Sequence, residues 1–214
     1  MSSLPPVKTA EDFHRLKSKW HADLKTLIDA GVKAGLSSER IFEDVAELRA
    51  NYLAVLTDPE NPVAISEGRK DVLSQPQYIN HPPTDPKHPL IAIVTAQTEG
   101  LNRIFGKTWP APYVVVIEGY QRQTGITAAY SPMGDFIVID SDSANQSPTG
   151  MRGVVGHELT HRYQRSKEAL ARHHIKDPQF QTPQFFRRLR QLEAEADFYG
   201  AAITSPEISK SDLQ

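Results

Sequence analysis

The chain has 214 residues, with 24 basic and 26 acidic side chains, a formal net charge of −2 and no cysteine. This length suits about one domain with an appendage, and the near-neutral charge excludes the basic surface typical of nucleic-acid binding. Since disulfides and thiolate ligands are excluded too, any metal site must be built from histidine and carboxylate side chains.

The N-terminus and the hydropathy of the chain bear on its location. Residues 1–13 lack the apolar core of a signal peptide, and no apolar run approaches the length of a transmembrane helix. We therefore expect a protein without a transmembrane segment, located in the cytoplasm. Export by a dedicated secretion system stays open as an alternative.

Two helices are predicted in the N-terminal part. The first opens at Thr9 with a capping-box pattern and ends near Gly31, and the second starts near Ser38 and stops at Thr57. Apolar residues recur at helical spacing in both, which predicts an antiparallel helical hairpin. Its surface is a candidate contact for a protein partner.

A loop separates this hairpin from the rest of the chain. Residues 75–89 contain five prolines, which favours an irregular connection. His81 and His88 lie there, but we expect no metal site because no rigid element would hold them.

The middle of the chain predicts one helix and a small sheet. A helix is expected over Leu90–Phe105, ended by Gly106. The β-branched segment Tyr113–Gly119 predicts a buried strand, and further strands are expected at 125–130 and Phe136–Asp140.

Residues 156–164, GHELTHRYQ, carry the pattern H-E-x-x-H inside a predicted helix that begins at Ser147-Pro148 and runs to about His173. Residues four apart are only about 40° apart around a helix, so His157 and His161 can direct ring nitrogens at one ion. Glu158 is offset by about 100°, which suits a general base acting on a metal-bound water better than a third ligand.

Two glycines precede the first histidine in this helix, Gly153 and Gly156. A glycine inside a helix costs about 1 kcal/mol relative to alanine. We expect that another element packs very close to both positions. The alternative is a helix that is poorly optimised.

The last predicted helix begins at Thr182-Pro183 and offers acidic residues that could complete a metal site. Glu193 and Asp197 share one face of it, close to the apolar side, whereas Glu195 points elsewhere and is expected to be solvated. A catalytic zinc site with two histidines needs a third protein ligand and an open position for water. Glu193 is the first candidate and Glu195 the next.

The segments GHELTHR and EAEADFYGA together resemble the gluzincin pattern HExxH…ExxxD. The chain is similar, over roughly residues 89–205, to soluble relatives of the CAAX prenyl protease and HtpX family and to minigluzincins. The resemblance implies an α+β, zincin-like metallopeptidase domain with a small mixed sheet, an active-site helix and a C-terminal ligand helix, here preceded by the N-terminal helical hairpin.

The resemblance also implies roles for individual residues. One Zn²⁺ ion would be held by His157, His161 and Glu193, and Asp197 would orient His157. An edge strand would bind the substrate backbone at the positions Thr127, Ala128, Ala129 and Tyr130. The oxyanion-stabilising residue is not identified; the candidates are Tyr130, Tyr163, Tyr199, His173 and His174.

The expected function is therefore that of a zinc-dependent endopeptidase acting on a protein or peptide, with Glu158 as general base. The expected domains are an N-terminal part at 1–88, the metallopeptidase domain at 89–205 and a polar tail at 206–214. Two alternatives remain: a catalytically silent protein-interaction module with the same fold, and a latent peptidase whose cleft is blocked by its own loop or tail. Prenyl proteases are embedded in membranes and this chain lacks a spanning segment, which argues against a lipidated substrate.

Overall fold

The structure is a computed structural model that describes residues 4–76, 78, 84–144, 148–164 and 183–204. Its helices are α1 (Ala10–Lys33), α2 (Ser38–Leu56), α3 (Pro62–Leu73), α4 (Pro89–Phe105), α5 (Tyr120–Thr124), α6 (Ser141–Ala144), α7 (Pro148–Tyr163) and α8 (Pro183–Thr204). Its strands are β1 (Tyr113–Ile117), β2 (Ala128–Ser131) and β3 (Phe136–Asp140). One small sheet among helices is an α+β arrangement, as the sequence predicted.

The described residues form two compact units. The first comprises those of 1–68 and 164–192, and the second those of 69–163 and 193–214. The division at residue 88 expected from the sequence stays a prediction. Within the described ranges, no helix combines the length and the hydropathy needed to cross a membrane.

In the first unit, α1 and α2 form the predicted antiparallel hairpin. The capping box is present, since the Thr9 hydroxyl accepts from the Asp12 backbone N–H and the Asp12 carboxylate accepts from the Thr9 N–H. The Trp20 and Tyr52 rings stack across the hairpin with centroids 6.4 Å apart, and both side chains are buried. The hairpin is thus held by an apolar seam rather than by its exposed ion pairs.

Helix α3 was missed in the sequence. The Asn61 side chain caps it by accepting from the backbone N–H groups of Val63 and Ala64, and Pro62 occupies its first position. The cap followed by proline is the same signal that predicted the starts of the later helices. The motif helix is shorter than predicted, because α7 ends at Tyr163 and Gln164 is not helical. The remainder of its predicted extent, and the predicted tail at 206–214, lie outside the described residues.

The sheet of the second unit has the strand order β1–β3–β2. β3 is central and fully buried, pairs in parallel with β1 and antiparallel with β2, and so makes the sheet mixed, as predicted. Strand β2 is an edge. Because the Thr127 carbonyl accepts from the Asp140 N–H, the backbone groups of Ala128 and Tyr130 point away from β3, towards the open edge.

The main core of this unit joins α4, α7 and one face of the sheet. Its fully buried members include Val94 and Leu101 on α4, Ile137 on β3, and Val155 and Leu159 on α7. Val155 and Leu159 flank the first histidine of the motif along the helix. The motif helix is therefore fixed against the sheet by its apolar face.

The two glycines of α7 differ in their surroundings. A Cβ built on Gly156 would lie 3.0 Å from Gly200 Cα, and one built on Gly200 would lie 2.7 Å from the His157 backbone nitrogen. Helices α7 and α8 therefore touch through their backbones, which confirms the expected close packing at Gly156. At Gly153 the expectation was wrong, because a Cβ there meets nothing within 4 Å.

This difference predicts opposite effects of the same substitution. Gly200→Ala should lower the free energy of unfolding by about 1–3 kcal/mol, because the new methyl group forces the two backbones apart. Gly153→Ala should raise it by up to about 1 kcal/mol, because it adds helix propensity without a clash. Thermal and denaturant unfolding measure both. A Gly200→Ala protein as stable as the wild type would contradict the backbone contact.

Candidate metal centre

Two histidines on α7 supply the first half of the site. His157 and His161 are one turn apart on the same helix face, and their Nε2 atoms are 3.2 Å from each other. The His161 ring is almost fully buried, whereas that of His157 is partly exposed. Neighbouring ring nitrogens at this spacing suit a shared metal ion, as the sequence pattern predicted.

Glu193 on α8 completes a triangle of donor atoms. Its Oε2 atom lies 3.2 Å from His157 Nε2 and 3.5 Å from His161 Nε2. A tetrahedral zinc ion with bonds of 2.0–2.1 Å requires donor atoms about 3.3 Å apart. The three measured spacings are close to this value, so the donor set fits one zinc ion in both chemistry and size.

Asp197 lies one turn after Glu193 and contacts the other nitrogen of the first histidine. Its Oδ1 atom is 2.8 Å from His157 Nδ1. An Nδ1–H that donates to this carboxylate leaves the Nε2 lone pair free for a metal, and the contact also fixes the orientation of the ring. The sequence-based assignment of Asp197 as an orienting residue is consistent with this geometry.

The surrounding carboxylates also affect the protonation of His157. The hydrogen bond with Glu193 raises the pKa of His157, and Asp197 and the charge of Glu158 act in the same direction against burial. A proton and a metal ion compete for the same nitrogen. Metal binding should therefore weaken as the pH falls.

Glu158 is placed differently from the three donors. Its Oε1 atom is 3.9 Å from His157 Nε2, and its Oε2 atom accepts a hydrogen bond from the Tyr130 backbone N–H at 2.9 Å. The carboxylate thus lies between the donor triangle and the edge strand. This position suits a proton acceptor beside a metal-bound water rather than a ligand.

A cleft of about 440 Å³ adjoins these residues. Its lining consists of Gly125, Ile126, Thr127, Ala128, Gly153, Val154, His157, Glu158 and Asp197. Of the four predicted substrate-binding positions, Thr127 and Ala128 line the cleft. Ala129 and Tyr130 do not, although the Tyr130 backbone reaches Glu158. The missing side chain at Gly153 leaves space in this cleft, which explains why nothing packs there.

Two of the three tyrosine candidates for oxyanion stabilisation have hydroxyl groups that bond elsewhere. The Tyr130 hydroxyl donates to Asp135 and the Tyr163 hydroxyl to Asn102, while the Tyr199 ring packs on Phe105. Burial raises the pKa of Tyr163 to about 12. His173 and His174 lie outside the described residues.

Tyr120 was not predicted from the sequence as a residue near Glu158. Burial raises its pKa to about 12, and the neighbouring Tyr78 and the negative charge of Glu158 add to the effect. Tyr120 is therefore within electrostatic reach of the predicted general base. Its position at the start of α5, three residues after the end of β1, was the available signal, because the connections that follow strands often carry functional residues.

Among the described residues, His157, His161 and Glu193 are the group whose side chains could hold a metal ion, and Glu195 is not part of it. Comparisons of the chain with family models, with curated proteins and with solved structures find no match. The functional argument therefore depends on the geometry of the site.

Proposed function

We propose that the protein is a zinc-dependent endopeptidase with a zincin-like domain of the gluzincin type. The observation that carries the proposal is the triangle of donor atoms from His157, His161 and Glu193, with sides of 3.2, 3.2 and 3.5 Å. Two imidazoles and one carboxylate leave a fourth position for water, as catalytic zinc sites require. A structural zinc site would be closed by a fourth protein ligand.

When bound, zinc would lower the pKa of a coordinated water to about 7 and polarise the carbonyl that is attacked. Within the chain, His157, His161 and Glu193 would hold the ion, and Asp197 would keep the His157 ring in the tautomer that exposes Nε2. These four residues prepare the site before any substrate arrives.

Glu158 performs the proton transfers. Its carboxylate removes a proton from the attacking water and later delivers it to the leaving amine of the cleaved peptide bond. The hydrogen bond from Tyr130 holds one of its oxygens, so the other is left to face the donor triangle, where its distance to His157 Nε2 is 3.9 Å.

The substrate is a peptide bound in extended form beside β2. The backbone groups of Ala128 point to the open edge of the sheet, and the same residue lines the cleft. A peptide strand could pair with these groups by adding to the edge. The intact and positioned Glu158 favours this reading over a silent interaction module, which has no need of a base.

The test is peptide hydrolysis with and without metal. Purified full-length protein should contain close to stoichiometric zinc and cleave members of a random decapeptide library, with products identified by mass spectrometry. Treatment with a chelator should abolish cleavage, and added zinc should restore it. Zinc-loaded protein that cleaves nothing would favour the interaction module or the latent form, and undiminished cleavage after chelation would refute zinc catalysis.

A further inference from the structure

A buried ion pair links the motif helix to the turn between β2 and β3. Arg162, the residue after the second histidine, donates from Nε and Nη2 to the two carboxylate oxygens of Asp135 at 2.7 and 2.6 Å. The Arg162 side chain is fully buried and that of Asp135 nearly so. A two-pronged pair of this kind fixes geometry as well as charge.

Burying this ion pair costs free energy, so packing alone does not explain its presence. Burying two charges costs several kcal/mol, and apolar residues of similar volume are often at least as stable. Within the described residues, Arg162 Nη1 has no hydrogen-bond partner. Asp135 also has a left-handed backbone, with φ 49°, which a non-glycine residue adopts only under constraint.

Tyr130 connects this pair to the predicted general base. Its hydroxyl donates to Asp135 Oδ1 at 3.0 Å, and its backbone N–H donates to Glu158 Oε2 at 2.9 Å. The same tyrosine therefore has its side chain anchored to the ion pair and its backbone bonded to the catalytic carboxylate. Arg162 and Glu158 are four residues apart on α7. The contacts therefore run from Arg162 through Asp135 and Tyr130 and return to the same helix at Glu158.

We propose that the Asp135–Arg162 pair acts through Tyr130 as a positioning device for Glu158. The ion pair fixes the Tyr130 hydroxyl, the strand transmits this constraint to the Tyr130 N–H, and that N–H holds Glu158 Oε2. The catalytic relevance rests on the proposed peptidase function, whereas the positioning itself does not. Arg162, Asp135 and the Tyr130 side chain are positioning residues, since they act on Glu158 through the Tyr130 backbone N–H.

Tyr130→Phe tests, with the smallest change, whether the Asp135–Arg162 pair positions Glu158. It removes the hydroxyl and keeps the ring, the backbone N–H and the ion pair. In the zinc-loaded full-length protein, amide hydrogen exchange at position 130 should become about tenfold faster, because the strand is held less firmly. For the best-cleaved decapeptide, kcat should fall about tenfold while KM changes less than twofold and zinc content stays the same, because only the proton transfer is affected.

Tyr52→Phe is the matched control. It also removes the hydroxyl of a buried tyrosine from a hydrogen bond to an aspartate, but the partner is Asp23 on the N-terminal hairpin, not the ion pair. It should lower the melting temperature as much as Tyr130→Phe and leave both kcat and the exchange at position 130 unchanged. Arg162→Lys, which keeps the charge but loses the two-pronged bond, should reproduce the exchange and kcat effects of Tyr130→Phe.

Two outcomes would overturn the proposal. One is a Tyr130→Phe protein with wild-type exchange at position 130 and wild-type kcat; the other is an equal fall of kcat in both tyrosine variants, which would indicate a general structural role. If the wild type cleaves no member of the library, the peptidase function fails, and hydrogen exchange alone then decides whether the pair positions Glu158.

Discussion

Replacing Glu158 by glutamine is expected to stop peptide hydrolysis while zinc stays bound. The amide cannot take a proton from water, but its oxygen can still accept the hydrogen bond that the Tyr130 N–H now gives to the carboxylate. General-base catalysis accelerates a reaction by about 10²–10⁴-fold, so kcat should fall by at least about 10²-fold. Hydrolysis of the best-cleaved decapeptide and metal analysis of the same sample measure the two effects together.

Glu195→Gln is the matched control, since it makes the same chemical change in a carboxylate outside the donor group. It should retain both zinc and activity. Substantial hydrolysis by the Glu158→Gln protein would remove Glu158 from its proposed role. A loss of zinc in that variant would instead make Glu158 a ligand, against its 3.9 Å distance from His157 Nε2.

Replacing Glu193 by alanine is expected to release the metal. It deletes one corner of the donor triangle and leaves two histidines, too few for a stable catalytic zinc site. The loss of affinity should exceed the roughly 10–100-fold that follows from losing an outer hydrogen-bond partner of a ligand. Competition with a zinc-binding dye measures the dissociation constant, independently of any substrate.

Substitutions of two neighbouring residues on the same helix provide comparisons for this result. Asp197→Asn should weaken zinc binding by about 10–100-fold, because the His157 ring loses its charged partner but no ligand is removed. Glu195→Ala should bind zinc as the wild type does. If zinc is retained in Glu193→Ala and lost in Glu195→Ala, the third ligand is Glu195 and the donor triangle is incorrect.

Local spacing explains why much of the site could be predicted from the sequence. His157 and His161 share a helix face, as do Glu193 and Asp197, and the structure brings both pairs together at 2.8–3.5 Å. The capping box at Thr9 was predicted for the same reason, because its two hydrogen bonds join residues three apart. The coarse α+β class followed from the change between helical and alternating patterns.

Contacts between segments that are distant in the sequence could not be predicted from local spacing. Arg162 has the sequence context of a surface charge after the metal motif, and only the return of the β2–β3 turn to α7 buries it beside Asp135. Gly153 and Gly156 lie one turn apart on one helix and have the same intrinsic cost. Their difference depends on Gly200, which belongs to another helix.

The backbone contact between Gly156 and Gly200 adds two glycines to the sequence pattern that marks the site. Neither position can carry a side chain without moving the two helices that hold the donors. Any chain built on the same crossing should therefore show glycine just before the first histidine and again three residues after the aspartate. The pattern G-H-E-x-x-H…E-x-x-x-D-x-x-G is far less prone to chance matches than H-E-x-x-H, so it offers a way to find remote relatives by their helix crossing.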